Sequence, residues 1–159
     1  MTSKLKIANV DRLANITYSL IVGSIVDATS GASALEVVVS RLSSLGVNAA
    51  TGGFYGWWRE QACCLTGTTK ESGRFRKGIA DVVAFCSMQV PLYAVVRSAG
   101  RLIGNGEVDT KSIAYGMGTL AAFSPLIGPT LGAYTDFVRH IFGIKPAAEG
   151  AYADVAKED

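Results

Sequence analysis

The residues from Gly78 to Val96 read GIADVVAFCSMQVPLYAVV, apolar enough to be buried yet carrying Asp81 near the start and Gln89 and Pro91 in the middle. Such a segment is either the core helix of a soluble bundle or a membrane span whose polar groups serve a function. Three other apolar stretches surround it: Leu13 to Val26, Leu42 to Trp58, and Ser112 to Thr135. Only the last reaches about 18 to 20 uncharged residues unaided. The others span a bilayer, with Val82 to Val96 as the third, if Asp27, Arg41 and Asp81 lie near helix ends where they reach the interface. At mid-bilayer each such charge would cost about 2.5 to 3.5 kcal/mol, so depth separates a cheap charge from a functional one.

The connections decide between the two readings. Lys4, Lys6 and Arg12 precede the first stretch, Lys70, Arg74, Arg76 and Lys77 lie between the second and third, and Arg139, His140 and Lys145 come after the fourth. The connection around Thr29 to Glu36 has no basic residue, and Asn105 to Lys111 sets Glu107 and Asp109 against one lysine. Basic and non-basic segments alternate, as four spans with both termini in the cytoplasm require and a soluble bundle does not. The expected fold is therefore all-α: a polytopic membrane protein with four transmembrane helices over residues 1–145, then a mobile cytoplasmic tail over 146–159. Phe54, Tyr55, Trp57 and Trp58, with Tyr134, Phe137 and Phe142, would form an interfacial aromatic belt at the cytoplasmic side.

Composition agrees. Charged residues make up 18% of the 159, below the roughly 25% of soluble domains, and glycine is abundant. A net charge of +2 without a basic stripe gives no reason to expect nucleic acid as a partner. Cys63, Cys64 and Cys86 suit neither a disulfide framework nor a metal site. The first 34 residues imitate a signal peptide ending at Ala32-Ser33-Ala34, but Asp27 interrupts it and further spans lie beyond. With a single histidine, His140, and no dinucleotide-loop context around Gly104-Asn105-Gly106, no catalytic site, metal or cofactor is expected.

An internal repeat is visible. Asp11-x-x-Ala14 opens the first span as Asp81-x-x-Ala84 opens the third; Gly52-x-x-x-Gly56-x-x-x-Glu60 closes the second as Gly128-x-x-x-Gly132-x-x-x-Asp136 closes the fourth. Two parallel helical hairpins related by an axis along the membrane normal would result. Each GxxxG pair sets two small residues on one face, where helices approach closely within the chain or between subunits.

Helix rise of about 1.5 Å per residue places the polar groups. Asp81 falls at the cytoplasmic rim with Arg59, Asp136 and Arg139, while Arg41 falls at the outer rim. A direct Asp81–Arg41 pair is thereby excluded; Asp81 would meet Arg59 or Arg139, and Arg41 would meet Asp27 or Glu36. Asn48, Gln89 and Ser124 would share a mid-membrane layer, with Pro91 and Tyr93 just beyond. An unpaired Asp81 would exchange protons and a paired one would clamp or gate.

Three motifs together resemble the bacterial L-alanine exporter family (AlaE): Ser40-Arg41-Leu42 with Val47-Asn48, Tyr55-Gly56 and Arg59; Ala80-Asp81 with Ala84, Gln89, Pro91 and Tyr93; and Gly128-x-x-x-Gly132 with Asp136, Arg139 and Phe142. The resemblance, covering roughly Asp11 to Ile144, implies a four-span inner-membrane protein exporting L-alanine and related small amino acids, driven by protons. It implies Arg41 and Asp81 as essential charges and Gly128 with Gly132 as an association face. The first span is more polar here, with Thr17, Ser19 and Ser24, and the tail is longer and more acidic. A homo-oligomer is expected, since four such helices scarcely enclose a gated path alone. The alternative is a non-transporting membrane scaffold whose polar layer only fixes helix register.

Overall fold

A computed structural model describes residues 3–29, 34–95, 98 and 110–158. Among these lie four long helices: α1 (Ser3–Thr29), α2 (Ala34–Leu65), α3 (Arg74–Val95) and α4 (Thr110–Ile141). A 3₁₀ turn (Ala147–Glu149) and a short helix, α5 (Ala151–Glu158), complete the order. No strand occurs among the described residues. The long helices pack as neighbours in a ring, α1 on α2, α2 on α3, α3 on α4 and α4 on α1.

Backbone chemistry sets the ends of α2 and α4 in the same way. Gly67 and Gly143 adopt φ of +60° and +67°, a left-handed conformation that a side chain would strain. Thr68 N–H then reaches Cys63 O at 2.8 Å, and Ile144 N–H reaches Arg139 O at 2.9 Å. Both are Schellman closures that satisfy otherwise orphaned carbonyls.

Two helices contain proline, with different consequences. Pro91 has no N–H and its ring crowds the carbonyl four residues back, at Ser87; α3 widens there into a π-helical segment, Phe85–Gln89. In α4, Pro125 frees the carbonyl of Ala121, which accepts the Ser124 hydroxyl at 2.7 Å, and the helix continues. Ser124 is thus committed to its own backbone rather than to a mid-membrane layer.

Large apolar side chains lie on the surface, and beside the apolar core the interior holds charged groups. Ile21, Leu42, Phe75, Phe123, Leu126, Phe137 and Ile141 are exposed, whereas Asp11, Arg59, Glu60, Asp81 and Arg139 are buried. The helix that qualifies as a span by length and composition is Arg74–Val95. It is not α4, whose uncharged length suggested otherwise, because Gly, Ser, Thr and Pro dilute the hydropathy of α4. Four long helices are present among the described residues, and hydropathy alone identifies one of them as a span.

The aromatic group at the end of α2 is divided. Phe54 and Trp57 stack at 5.1 Å on the outside, but Tyr55 is fully buried and Trp58 donates to Ser87 Oγ at 2.8 Å. Tyr134 likewise turns inward, its hydroxyl 3.0 Å from Thr17 Oγ1. The segment after Pro146 also departs from the mobile tail expected of it. Ala147 and Ala151 are buried, and Tyr152 inserts beneath the bundle.

Candidate functional site

The buried charged side chains collect at one end of the bundle, where α1 and α3 begin and α2 and α4 end. They form two clusters, each an arginine between two carboxylates. Arg59 on α2 donates from Nε to Asp81 Oδ1 at 2.6 Å, and from Nη1 and Nη2 to the two oxygens of Asp136 at 2.7 and 2.8 Å. Arg139 on α4 donates from Nε and Nη2 to Asp11 at 2.6 and 2.8 Å, and from Nη1 to Glu60 Oε1 at 3.1 Å. Each arginine crosses to acids of the other helix pair: Arg59 from α2 to α3 and α4, Arg139 from α4 to α1 and α2. The bidentate forks hold all four helices in register.

Glycine makes room for the acids. A methyl group on Gly56 would collide with the Asp11 carboxylate, and one on Gly132 with the Asp81 carboxylate. A Cβ on Gly128 would stand 3.0 Å from the Asp81 carbonyl oxygen, and one on Gly52 would stand 2.8 Å from Arg12 Cα. The four glycines of the two GxxxG motifs are therefore spent on packing within the chain. The association face implied for Gly128 and Gly132 is occupied by α3.

The chain end closes one cluster. The Tyr152 hydroxyl donates to Asp11 Oδ2 at 2.8 Å, its backbone N–H donates to Glu60 Oε2 at 2.9 Å, and its ring lies 5.7 Å from the Arg139 guanidinium carbon. Burial, and then the adjacent Asp11 carboxylate, push the Tyr152 phenol up, so it stays a proton donor. Ala147 N–H caps Asp136 Oδ1 in the other cluster at 3.1 Å. Replacing Tyr152 with phenylalanine removes a hydrogen bond to a charged acceptor and is expected to cost about 1.5 to 3 kcal/mol. Thermal unfolding of the detergent-solubilised protein measures this, and an unchanged midpoint would show that the phenol carries no load.

The second cluster is open. A cleft of about 310 Å³ borders it, lined by Arg74, Lys77, Gly78, Asp81, Ala133 and Asp136 among others. Asp136 is the accessible acid, its side chain 29% exposed against 0% for Asp11.

The remaining residues expected from sequence are scattered. Arg41 donates to Ser19 O at 2.9 Å; the side chains of Asp27 and Glu36 lie outside the described residues. Gln89 contacts Asn15 Oδ1 of α1 at 3.5 Å rather than Asn48, which is half-buried on α2. Pro91 is exposed beside the π segment, and Tyr93 packs on Gly116 of α4, where a methyl group would collide with it. Asp11 and Glu60 were visible only as repeat positions matching Asp81 and Asp136. Asn15, one turn after Asp11, and Tyr152 carried no signal of their own.

A bundle of long helices that exposes many large apolar side chains while it buries Arg59, Arg139 and their acids defines an all-helical protein with an ion-paired interior site. Within that class, the chain belongs to the L-alanine exporter family AlaE, whose model matches residues 1–145. It is 29% identical over 147 residues to the L-alanine exporter AlaE of Cronobacter sakazakii, covering 92% of this chain and 89% of that protein. It is 27% identical to that of Pectobacterium parmentieri, covering 90% and 95%, and 29% identical to that of Musicola paradisiaca, covering 84% of each. No solved structure matches it significantly.

Proposed function

We propose that the chain is a four-span carrier of the bacterial inner membrane that exports L-alanine and related small amino acids, with both termini in the cytoplasm. The observation that carries the reading is the family match over residues 1–145, together with relatives named L-alanine exporter. The inward ionic clusters and outward apolar surface support a lipid setting. Alternating charge in the connections supports a cytoplasmic position for the ion-pair end.

The two hairpins, α1–α2 and α3–α4, are proposed as repeats. Supporting this, Asp11 and Ala14 are buried as Asp81 and Ala84 are, Gly56 receives Asp11 as Gly132 receives Asp81, and Gly67 ends α2 as Gly143 ends α4. Repeat symmetry with one open and one sealed cluster suits a carrier that passes between two arrangements. Export is coupled to protons through Asp81, which takes a proton when it leaves Arg59. Gln89, with Asn15 and Asn48, offers polar contacts deeper along the path, and a homo-oligomer assembles through faces other than the glycine motifs.

Alanine release from dipeptide-fed cells tests this. Cells carrying the protein are expected to release alanine at least tenfold faster than cells lacking it, and Asp81→Asn is expected to abolish the difference. Equal release with and without the protein favours a scaffold, while full release by Asp81→Asn removes the coupling role.

A further inference from the structure

The two clusters are chemically alike but differently completed. In each, one guanidinium faces two carboxylates, leaving one negative charge uncompensated. At the Arg139 cluster that charge is met by the chain itself, since Asp11 Oδ2 accepts the Tyr152 hydroxyl as well as Arg139 Nη2. At the Arg59 cluster the matching atom has no such donor. Asp81 Oδ1 accepts Arg59 Nε, but among the described residues Asp81 Oδ2 accepts no hydrogen bond, although the side chain is only 7% exposed. The hydroxyl of Tyr55, a fully buried residue within electrostatic reach of Asp81 and Arg59, also finds no partner among the described residues. A buried hydroxyl is rarely left so, and Asp81, which borders the cleft, has an oxygen free to accept a donor from it.

The cleft beside Asp81 supplies what a ligand would need. Lys77 and Arg74 stand one and two turns before Asp81 on the same side of α3, and both line the cleft. Arg74 is exposed and forms no ion pair among the described residues. Positive charge at the mouth and an unsatisfied carboxylate oxygen inside form a dipole. The walls between are small, Gly78 and Ala133 with Pro129 behind them.

We propose that this cleft is the cytoplasmic seat of a zwitterionic α-amino acid with a small side chain. Its ammonium donates to Asp81 Oδ2, taking the place that the Tyr152 hydroxyl holds at the sealed cluster. Its carboxylate faces Lys77 and Arg74, and its side chain lies against Gly78 and Ala133. The proposal rests on the export reading and deepens it, moving the first substrate contact from the mid-membrane layer to the rim. One carboxylate, flanked by Arg59, Asp136 and Tyr55, then takes either a proton or an ammonium, so the two compete for it as an exchanger requires.

The test uses the full chain in proteoliposomes, monitoring counterflow of labelled L-alanine. Arg74→Gln with Lys77→Gln, and separately Ala133→Leu, are each expected to raise the half-saturating alanine concentration at least tenfold. These positions lie outside the ion-pair clusters, so folding is expected to survive and is checked by the thermal midpoint. Propionate, which lacks the ammonium, and ethylamine, which lacks the carboxylate, are each expected to compete at least tenfold more weakly than unlabelled L-alanine. Half-saturation within twofold of the unsubstituted protein in both variants would overturn the seat, as would competition by propionate or ethylamine equal to that of alanine. Absence of any counterflow by the unsubstituted protein would instead overturn the export reading.

Discussion

Replacing Arg139 with methionine is expected to remove about 3 to 5 kcal/mol of stability, because it leaves two buried carboxylates without their counter-charge. Arg139 is the largest fully buried side chain among the described residues, and both Asp11 and Glu60 bond to it. Net stabilities of about 5 to 15 kcal/mol leave little margin for such a loss, so the variant should accumulate poorly and lose its thermal transition in detergent. The loss belongs to the orphaned acids rather than to the missing contact. Adding Asp11→Asn and Glu60→Gln to Arg139→Met is therefore expected to recover much of the stability, since neutralising a whole buried cluster is close to neutral. Lys70 and Glu149 provide the contrast: their ion pair is 3.3 Å long with the lysine 74% exposed, and Lys70→Ala is expected to change stability by less than about 1 kcal/mol. Equal losses for Arg139→Met and Lys70→Ala would mean that burial does not set the weight of these pairs.

The sequence is most legible in the coordinate that a helix fixes and least in the one it leaves free. Rise per residue gives height, and height alone placed Asp81 at one rim with Arg59 and Arg139 and excluded Arg41; it did not choose between the two, and the structure gives Arg59. Azimuth is the harder coordinate. Arg59 and Glu60 are adjacent in sequence but point about 100° apart, so they join different clusters, and height cannot assign Glu60 to Arg139. The π segment before Pro91 adds to the difficulty, since widening one turn rotates the rest of the helix and brings Gln89 to Asn15 instead of Asn48. Tyr152 was invisible for another reason. Its helix is eight residues long and Ala-rich, with nothing in its spacing to reveal that its phenol and N–H complete a cluster built from α1, α2 and α4. The matching short motifs, by contrast, did hold information about the site: they singled out Asp11, Glu60, Asp81 and Asp136, the four acids that the two arginines bind.

Gly132 offers the sharpest distinction between packing within the chain and association between chains. A methyl group there collides with the carboxylate of Asp81, which is held on its other side by Arg59 at 2.6 Å. Neither group can yield cheaply, because moving Asp81 breaks a buried ion pair and moving α3 away strips Gly128 of its contact with the Asp81 backbone. Gly132→Ala is therefore expected to cost about 3 to 5 kcal/mol, the scale of a broken buried pair, and to abolish alanine release. Gly118, on the same helix with nothing within 4 Å of an added methyl, is the control. Its change to alanine should be neutral or stabilising by up to about 1 kcal/mol, since helix propensity then acts unopposed. Thermal midpoints measured over a range of protein concentrations separate the two readings. A clash inside the chain lowers the midpoint of Gly132→Ala equally at every concentration, whereas a weakened subunit contact lowers it most on dilution. A deficit that vanished in concentrated samples would return Gly132 to the subunit interface and show that the Asp81 carboxylate does not need the space that a glycine leaves there.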